Sequence, residues 1–348
     1  MKDIFHKNKT WNTLIKCSLN ALIFVISCLF CLFFLEFTYR FQFIDFYKTE
    51  LNYFNNLNEQ NIGEKKVLVF GDSFTANSNN YINILNNNNN NITFLNAAMP
   101  GVGIQEINCI AKNRIEAFKP KMIIVQLYVG NDLLDIKKPI NWHSISLFRN
   151  LYWHVSNRFY SIRYLNYKLG QLKEAMGQAI ETELVSDSDT FSTNKMSKRE
   201  YILTQADPNY YEKSINISDE YEARFSKLSE NLNDIHDLCK KYGIPLKVLI
   251  IPASCQVSLY YKNNLEKCGA YFEQKNTTDT IYPFINKLTN RFKVNSIEFL
   301  NPLSMFQRAD SSGHRLYYEN DIHLNKEGNI VLAKFLDNKL KNEITIGK

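Results

Sequence analysis

The sequence predicts an α/β fold with a mostly parallel sheet, and three observations predict it. Short β-rich runs recur along the chain at Lys65–Phe70, 92–95, 122–129 and Leu246–Ile251. Stretches of helical period separate or follow them, so the connections are crossovers and the sheet is covered on both faces. The composition, 45% hydrophobic and 14% aromatic over 348 residues, is enough for a packed core and unlike a disordered chain.

Each element has its own signal. Residues 17–35 carry no charge and are mostly apolar, long enough to cross a hydrocarbon core as a helix. Lys2, Lys7, Lys9 and Lys16 precede this run, which puts residues 1–16 on the cytoplasmic side and everything after the span outside. The expected layout is a single-pass anchor over 17–37, a short helical or irregular stalk over 38–61 and a body over 62–348. A cleaved signal peptide is the competing reading. It is disfavoured because the run is long and no small-x-small site follows it. Val25-Ile26-Ser27-Cys28 weakly resembles a lipoprotein cleavage box, but the strongly apolar residues 29–35 would then begin the mature chain. All of these readings export the body.

Within the body, the first run ends in Gly71-Asp72-Ser73 and the second in Asn96-Ala97-Ala98-Met99-Pro100-Gly101. Asn86 to Asn91 is an asparagine tract and reads as a loop. Ile104–Phe118 repeats apolar residues at helical period and stops at Lys119-Pro120. The third run closes on Gly130-Asn131-Asp132. Residues 226–242 form an amphipathic helix capped by Gly243, and 326–340 form the last helix. Between 136 and 223 the alternation breaks. Residues 139–168 are rich in aromatic and basic side chains and 186–198 are polar, so this segment reads as an inserted, partly helical lid followed by a loose loop. Its aromatics either stack on a sugar or form the lid's own small core, the latter being the commoner use.

The balance of 41 Lys and Arg against 35 Asp and Glu is scattered rather than striped, and no helix-turn-helix or zinc-finger spacing occurs, so nucleic acid is a poor partner. The seven cysteines have no metal-ligand spacing. In an exported body a Cys255–Cys268 disulfide is one expectation and free cysteines are the other.

Ser73 follows a buried strand, and a serine hydroxyl needs a base to become a nucleophile. Of the six histidines, His6 lies before the span, His236 on an exposed helix, His143 and His154 in the aromatic insert where packing is the default, and His314 in a polar loop. His323 lies in YENDIHLNKEGN, two residues after Asp321 and just before a helix. A carboxylate there would fix the imidazole tautomer; equally, Asp321 or Asn325 could simply cap the helix. Gly101 and Asn131 end successive strands, where a backbone N–H and a side-chain amide could meet a developing oxyanion. Ser73, Gly101 and Asn131 therefore fall on one rim of the sheet, where ligands of such sheets bind.

The motifs VFGDSFT, NAAMPGVG, YVGNDL and NDIHLNKEGN, in this order, resemble the SGNH, or GDSL, hydrolase superfamily. The resemblance spans roughly residues 62–342 without the insert. It implies a flavodoxin-like three-layer α/β/α domain, with Ser73 as nucleophile and His323 as base. It further implies an oxyanion hole from the N–H groups of Ser73 and Gly101 and the side chain of Asn131. Many members place the acid three residues before the histidine, where this chain has Asn320; Asp321, at two, is the preferred partner, and a Ser–His dyad is the alternative. Asp72 is expected to support the nucleophile loop. The implied chemistry is acyl transfer from an ester, here an acetyl ester of an envelope or extracellular glycan, with no metal or cofactor. Transfer to a polysaccharide, lysophospholipid hydrolysis and an envelope-binding protein without turnover are the alternatives.

Overall fold

The computed structural model describes residues 2–48, 65–76, 80–89, 92–175, 186, 189–273, 283–293 and 297–345, with backbone only at 2–14, 171–175 and 341–345. Five strands, β1 (Lys65–Phe70), β2 (Ile92–Asn96), β3 (Met122–Tyr128), β4 (Leu246–Ile251) and β5 (Glu298–Leu300), form one sheet in the order β2-β1-β3-β4-β5. Every pairing is parallel. β1 is central to the site: Val67 faces Phe94 on one side and Met122 on the other. The chain steps outward from β1 to β2 and then back to β3, so the first and second crossovers lie on opposite faces. Accordingly, helix α1 (Lys2–Arg40) aside, α2 (Tyr81–Asn88) packs with the last helix, while α3 (Ile104–Phe118) packs with the long helix before β4. The result is three layers in the doubly wound order.

The core is the sheet. All seven residues of β3 and all six of β4 are buried, as expected for strands covered on both faces. The asparagine tract departs from the loop expectation. Asn86 to Asn88 complete the last turn of α2, and the Asn86 side chain accepts from Phe94 N at 2.8 Å and donates to Phe94 O at 3.0 Å, tying the helix to β2. Asn90 and Asn91 lie outside the described residues.

The segment after β3 contains α4 (Asp132–Ile136), α5 (Leu147–Ser156), α6 (Tyr160–Ala175), α7 (Lys198–Ala206) and α8 (Tyr210–Asn216). The long helix α9 (Asp219–Lys241) leads into β4. The described residues of the insertion are largely helical and pack on one another and on the body. Trp153, Tyr210 and Tyr211 are buried, and the hydroxyls of Tyr210 and Tyr211 both donate to the buried Glu200 carboxylate. His143 and His154, expected to pack, are exposed, whereas His236, expected on the surface, is half-buried. After β4 come α10 (Ser254–Val257), α11 (Leu259–Lys267), α12 (Pro283–Arg291), α13 (Leu303–Ser311) and α14 (Lys326–Thr345).

Among the described residues, Ile15–Arg40 is the one helix long and apolar enough to cross a membrane, with a mean hydropathy of 2.5 over its most apolar window. In the described part of the expected stalk, several aromatic side chains pack on the body. Tyr39, Phe46 and Tyr47 are buried, and Tyr47 meets the rings of Tyr164 and Tyr167 edge-on at 5.0 and 5.8 Å. Asp45 forms an ion pair with the buried Arg114 of α3, whose other nitrogen donates to Phe46 O at 2.9 Å. Residues 49–61 of the expected stalk lie outside the described residues. The Cys255–Cys268 disulfide does not form: both cysteines are free and buried, and burial pushes the Cys255 thiol up to about 12.

Candidate active site

β1 ends where the chain must turn sharply beside β3. Gln126, the one polar residue of an otherwise apolar strand, points its Oε1 at this turn and accepts from Asp72 N and Thr75 Oγ1, both at 3.1 Å. A Cβ at position 71 would overlap that oxygen, so the glycine of Gly71-Asp72-Ser73 is required by close approach. Asp72 then shapes the loop with its own side chain: Oδ1 accepts from Phe74 N at 2.9 Å, and the Asp72 carbonyl accepts from Thr75 N and Ala76 N. Ser73 is left half-exposed at the rim between two tied neighbours.

The histidine arrives on a second turn. Tyr317 and Leu324 bridge antiparallel, Tyr318 N donates to His323 O at 3.1 Å, and Asn325 N donates to Leu316 O at 3.0 Å, so residues 318–323 form a closed loop. Asn325 caps α14, its Oδ1 accepting from Gly328 N at 2.9 Å. Asp321 has a different task. Its Oδ1 accepts from His323 N at 2.8 Å and contacts His323 Nδ1, and His323 Nε2 lies 2.7 Å from Ser73 Oγ.

Ser73, His323 and Asp321 form one hydrogen-bonded chain.

Solved structures similar to this chain include esterases. The chain is similar to the acetyl xylan esterase AlAXEase at 12% identity and a TM-score of 0.41, over 79% of this chain and 99% of that one. It is similar to an acetylxylan esterase from Geobacillus stearothermophilus at 9% identity and a TM-score of 0.41, over 80% of this chain and 95% of that one. It is also similar to a protein assigned to the lipolytic G-D-S-L family from Desulfitobacterium hafniense DCB-2, at 12% identity and a TM-score of 0.38, over 79% of this chain and 99% of that one. No family model matches the sequence, and no curated protein matches it. Likenesses this distant decide nothing about chemistry, which stands on the geometry of the residues themselves.

Asn320, the alternative partner at the three-residue spacing, faces away from the imidazole. Its Oδ1 accepts from Ser192 N at 2.8 Å, its Nδ2 donates to Thr190 O at 3.0 Å, and its carbonyl accepts from Ser197 N at 2.9 Å. It ties the polar end of the insertion to the loop that carries His323. Gly101 and Asn131 stand where the strand ends were expected to bring them, after β2 and β3 on either side of β1. Met99 N donates to Gly71 O at 3.1 Å, carrying the β1–β2 pairing toward Gly101. Gly101 is exposed with φ at +74°, a left-handed backbone that glycine adopts freely. Asn131 is buried at the start of α4, yet its side chain does not cap that helix, and its Oδ1 has no partner among the described residues.

Electrostatics favour an ion pair within the chain. Burial works against a charged His323, but the hydrogen bond and charge of Asp321, with Asp72 behind, outweigh it and raise the imidazole pKa above 6.5. Burial likewise opposes ionisation of Asp321, yet the hydrogen bond and charge of His323 hold it below the usual carboxylate range. Asp132 accepts from Tyr128 N at 2.8 Å; burial first, then the nearby Asp72 charge, lift it well above that range. It is a structural carboxyl rather than a partner of His323.

A cavity of about 170 Å³ opens beside Gly101. Pro100, Gly101 and Val102 form one wall, and Tyr152, Trp153 and Tyr167 line it from the insertion. The ion pairs Glu106–Arg163 and Asp135–Lys138 supply its polar side. Sequence reasoning missed Gln126, for which the signal was a lone polar residue inside an apolar strand. It also missed Arg199 of α7, whose guanidinium lies 3.5 Å from Asp135 and whose charge reaches Asp72, Asp321 and His323. Nothing in the local sequence of Arg199 signals that position.

Proposed function

We propose that this chain is a serine esterase of the SGNH, or GDSL, hydrolase superfamily, held on a membrane by its N-terminal helix. The observation that carries the reading is the 2.7 Å approach of His323 Nε2 to Ser73 Oγ, with Asp321 on the other ring nitrogen. In this reading Ser73 Oγ attacks the ester carbonyl carbon while His323 Nε2 takes its proton. The oxyanion of the tetrahedral intermediate sits against the N–H groups of Ser73 and Gly101 and the Asn131 amide. The intermediate collapses, the alkoxide leaves with the proton from His323, and an acyl-Ser73 ester remains. Water, deprotonated by His323, then attacks the acyl carbon, Ser73 regains its proton, and the acid is released. A sugar hydroxyl in place of that water would give transfer instead. Asp321 orients the ring and stabilises the imidazolium.

The substrate we take is a small acyl ester, an acetyl ester on an envelope or extracellular glycan, on the exported placement of the body behind the Ile15–Arg40 span. The lysines ahead of the span put the N-terminus in the cytoplasm and the catalytic body outside.

The test is labelling with a fluorophosphonate and turnover of p-nitrophenyl esters from acetate to octanoate. The wild-type chain should label and prefer acetate; Ser73→Ala should fold and do neither. A folded wild-type protein that neither labels nor turns over would leave a binding role in place of the esterase, and a preference for octanoate would replace the glycan ester by a lipid.

A further inference from the structure

We infer that α5 of the insertion lies in the membrane surface as a second contact with the bilayer, alongside α1. The inference rests on α1 being the span, and it concerns a face that catalysis does not use. On α5, Asn150, Trp153 and Ser156 point into the body. The opposite side carries Leu147, Phe148 and Leu151, which are 66%, 83% and 52% exposed. Such a concentration of large apolar side chains on one short helix is unusual on a surface that faces only water.

The face is continuous with the apolar helix. Phe148, Leu151 and Val155 are spaced i, i+3 and i+7, so they form one stripe along α5. The next residue in register is Phe159, whose ring meets Phe33 of α1 edge-on at 5.6 Å. The junction is locked at that level. Arg40 donates to Arg158 O at 2.9 Å, and Glu36 accepts from Tyr160 N at 3.1 Å, Ser161 N at 2.8 Å and Ser161 Oγ at 2.7 Å. Ile15–Arg40 is 26 residues long, and about 20 suffice for the hydrocarbon, so the docked turn at 36–40 falls at the interface. An exposed stripe beginning at that turn meets the same interface.

Charge points to the same occupant. Residues 136–173 contain seven Lys and Arg and no Asp or Glu. Lys138 and Arg163 pair with body carboxylates, whereas Arg149 and Arg158 are exposed beside the apolar stripe. Apolar residues on one face with basic residues flanking them is the pattern of a helix lying in the plane of an anionic bilayer. Since Trp153 and Tyr152 of the same helix line the cavity, the bilayer would hold that wall in place.

The test places the photo-crosslinker p-benzoylphenylalanine, one site at a time, in full-length protein reconstituted into vesicles of phosphatidylethanolamine and phosphatidylglycerol. The sites replace Phe24 in the span, Phe148 on α5, and Ile330, exposed on α14 in the opposite layer. Lipid adducts at 148 should match those at 24 and exceed those at 330 roughly tenfold. Adducts at 24 without adducts at 148 would overturn the inference and leave the span intact. Equal adducts at 148 and 330 would overturn it as non-specific contact. No adducts at 24 would remove the span, and this inference with it.

Discussion

Asp321 holds His323 twice through one oxygen: Oδ1 accepts the His323 backbone N–H at 2.8 Å and contacts the ring Nδ1. Ring and backbone are therefore fixed by the same carboxylate, and the ring's far nitrogen is aimed at Ser73.

The pH dependence follows from that contact. A general base works when neutral, and the pKa of His323 is raised above 6.5, so activity should be complete at alkaline pH and fall as pH drops through that raised value. Asp321→Asn removes the main raising influence. Its acid limb should move to lower pH, and kcat should fall by roughly 10³–10⁴-fold at neutral pH. A pH profile of kcat/KM for p-nitrophenyl acetate checks both; an unshifted limb would mean that another group titrates.

Asn131→Ala tests the anion-stabilising role. If the amide meets the developing oxyanion, kcat should fall about 10²–10³-fold with little change in KM. Because the Asn131 side chain caps nothing in α4, thermal stability should stay within about 1 kcal/mol of wild type. Steady-state kinetics beside calorimetry separates this from a folding defect, which would lower stability and activity together.

Gly71→Ala should destabilise the protein by about 1–3 kcal/mol, because the added methyl overlaps Gln126 Oε1. The double variant Gly71→Ala with Gln126→Ala should recover part of that loss, since the clashing atom is gone. Denaturant midpoints of the four proteins form the cycle; strictly additive costs would remove the proposed clash.

Asp45→Ala should cost roughly 3 kcal/mol, because it leaves the Arg114 guanidinium charged among buried groups with only the Phe46 carbonyl to accept from it. Chemical denaturation of the detergent-solubilised chain measures this. A change under 0.5 kcal/mol would show that residues 41–48 behave as the stalk the sequence suggests.

Much of the fold was legible because its signals are local. Lys65–Phe70, Ile104–Phe118 and Leu246–Ile251 match their predicted bounds, since apolar runs and helical period are properties of contiguous residues. Helix α2 was hidden because asparagine has poor helix propensity; its stability comes from the Asn80 cap and from packing against α14 and β2. β5 is three residues long and only partly buried, too short to announce itself. Asp321 was preferred over Asn320 on the resemblance alone, and what separates them in space is Asn320's engagement by Thr190, Ser192 and Ser197, over a hundred positions away in sequence. The packing of Tyr39, Phe46 and Tyr47 was not legible because their partners Tyr164 and Tyr167 lie just as remote along the chain.

The grip of Asn320 on the insertion carries a practical consequence. It sits next to Asp321, so trimming residues 190–197 unfastens the turn that aims the imidazole. A shortened chain found inactive would thus be reporting a misaligned base as readily as a missing binding surface. Only variants that keep this clasp, such as changes at Tyr152, can tell what the inserted helices do for the substrate.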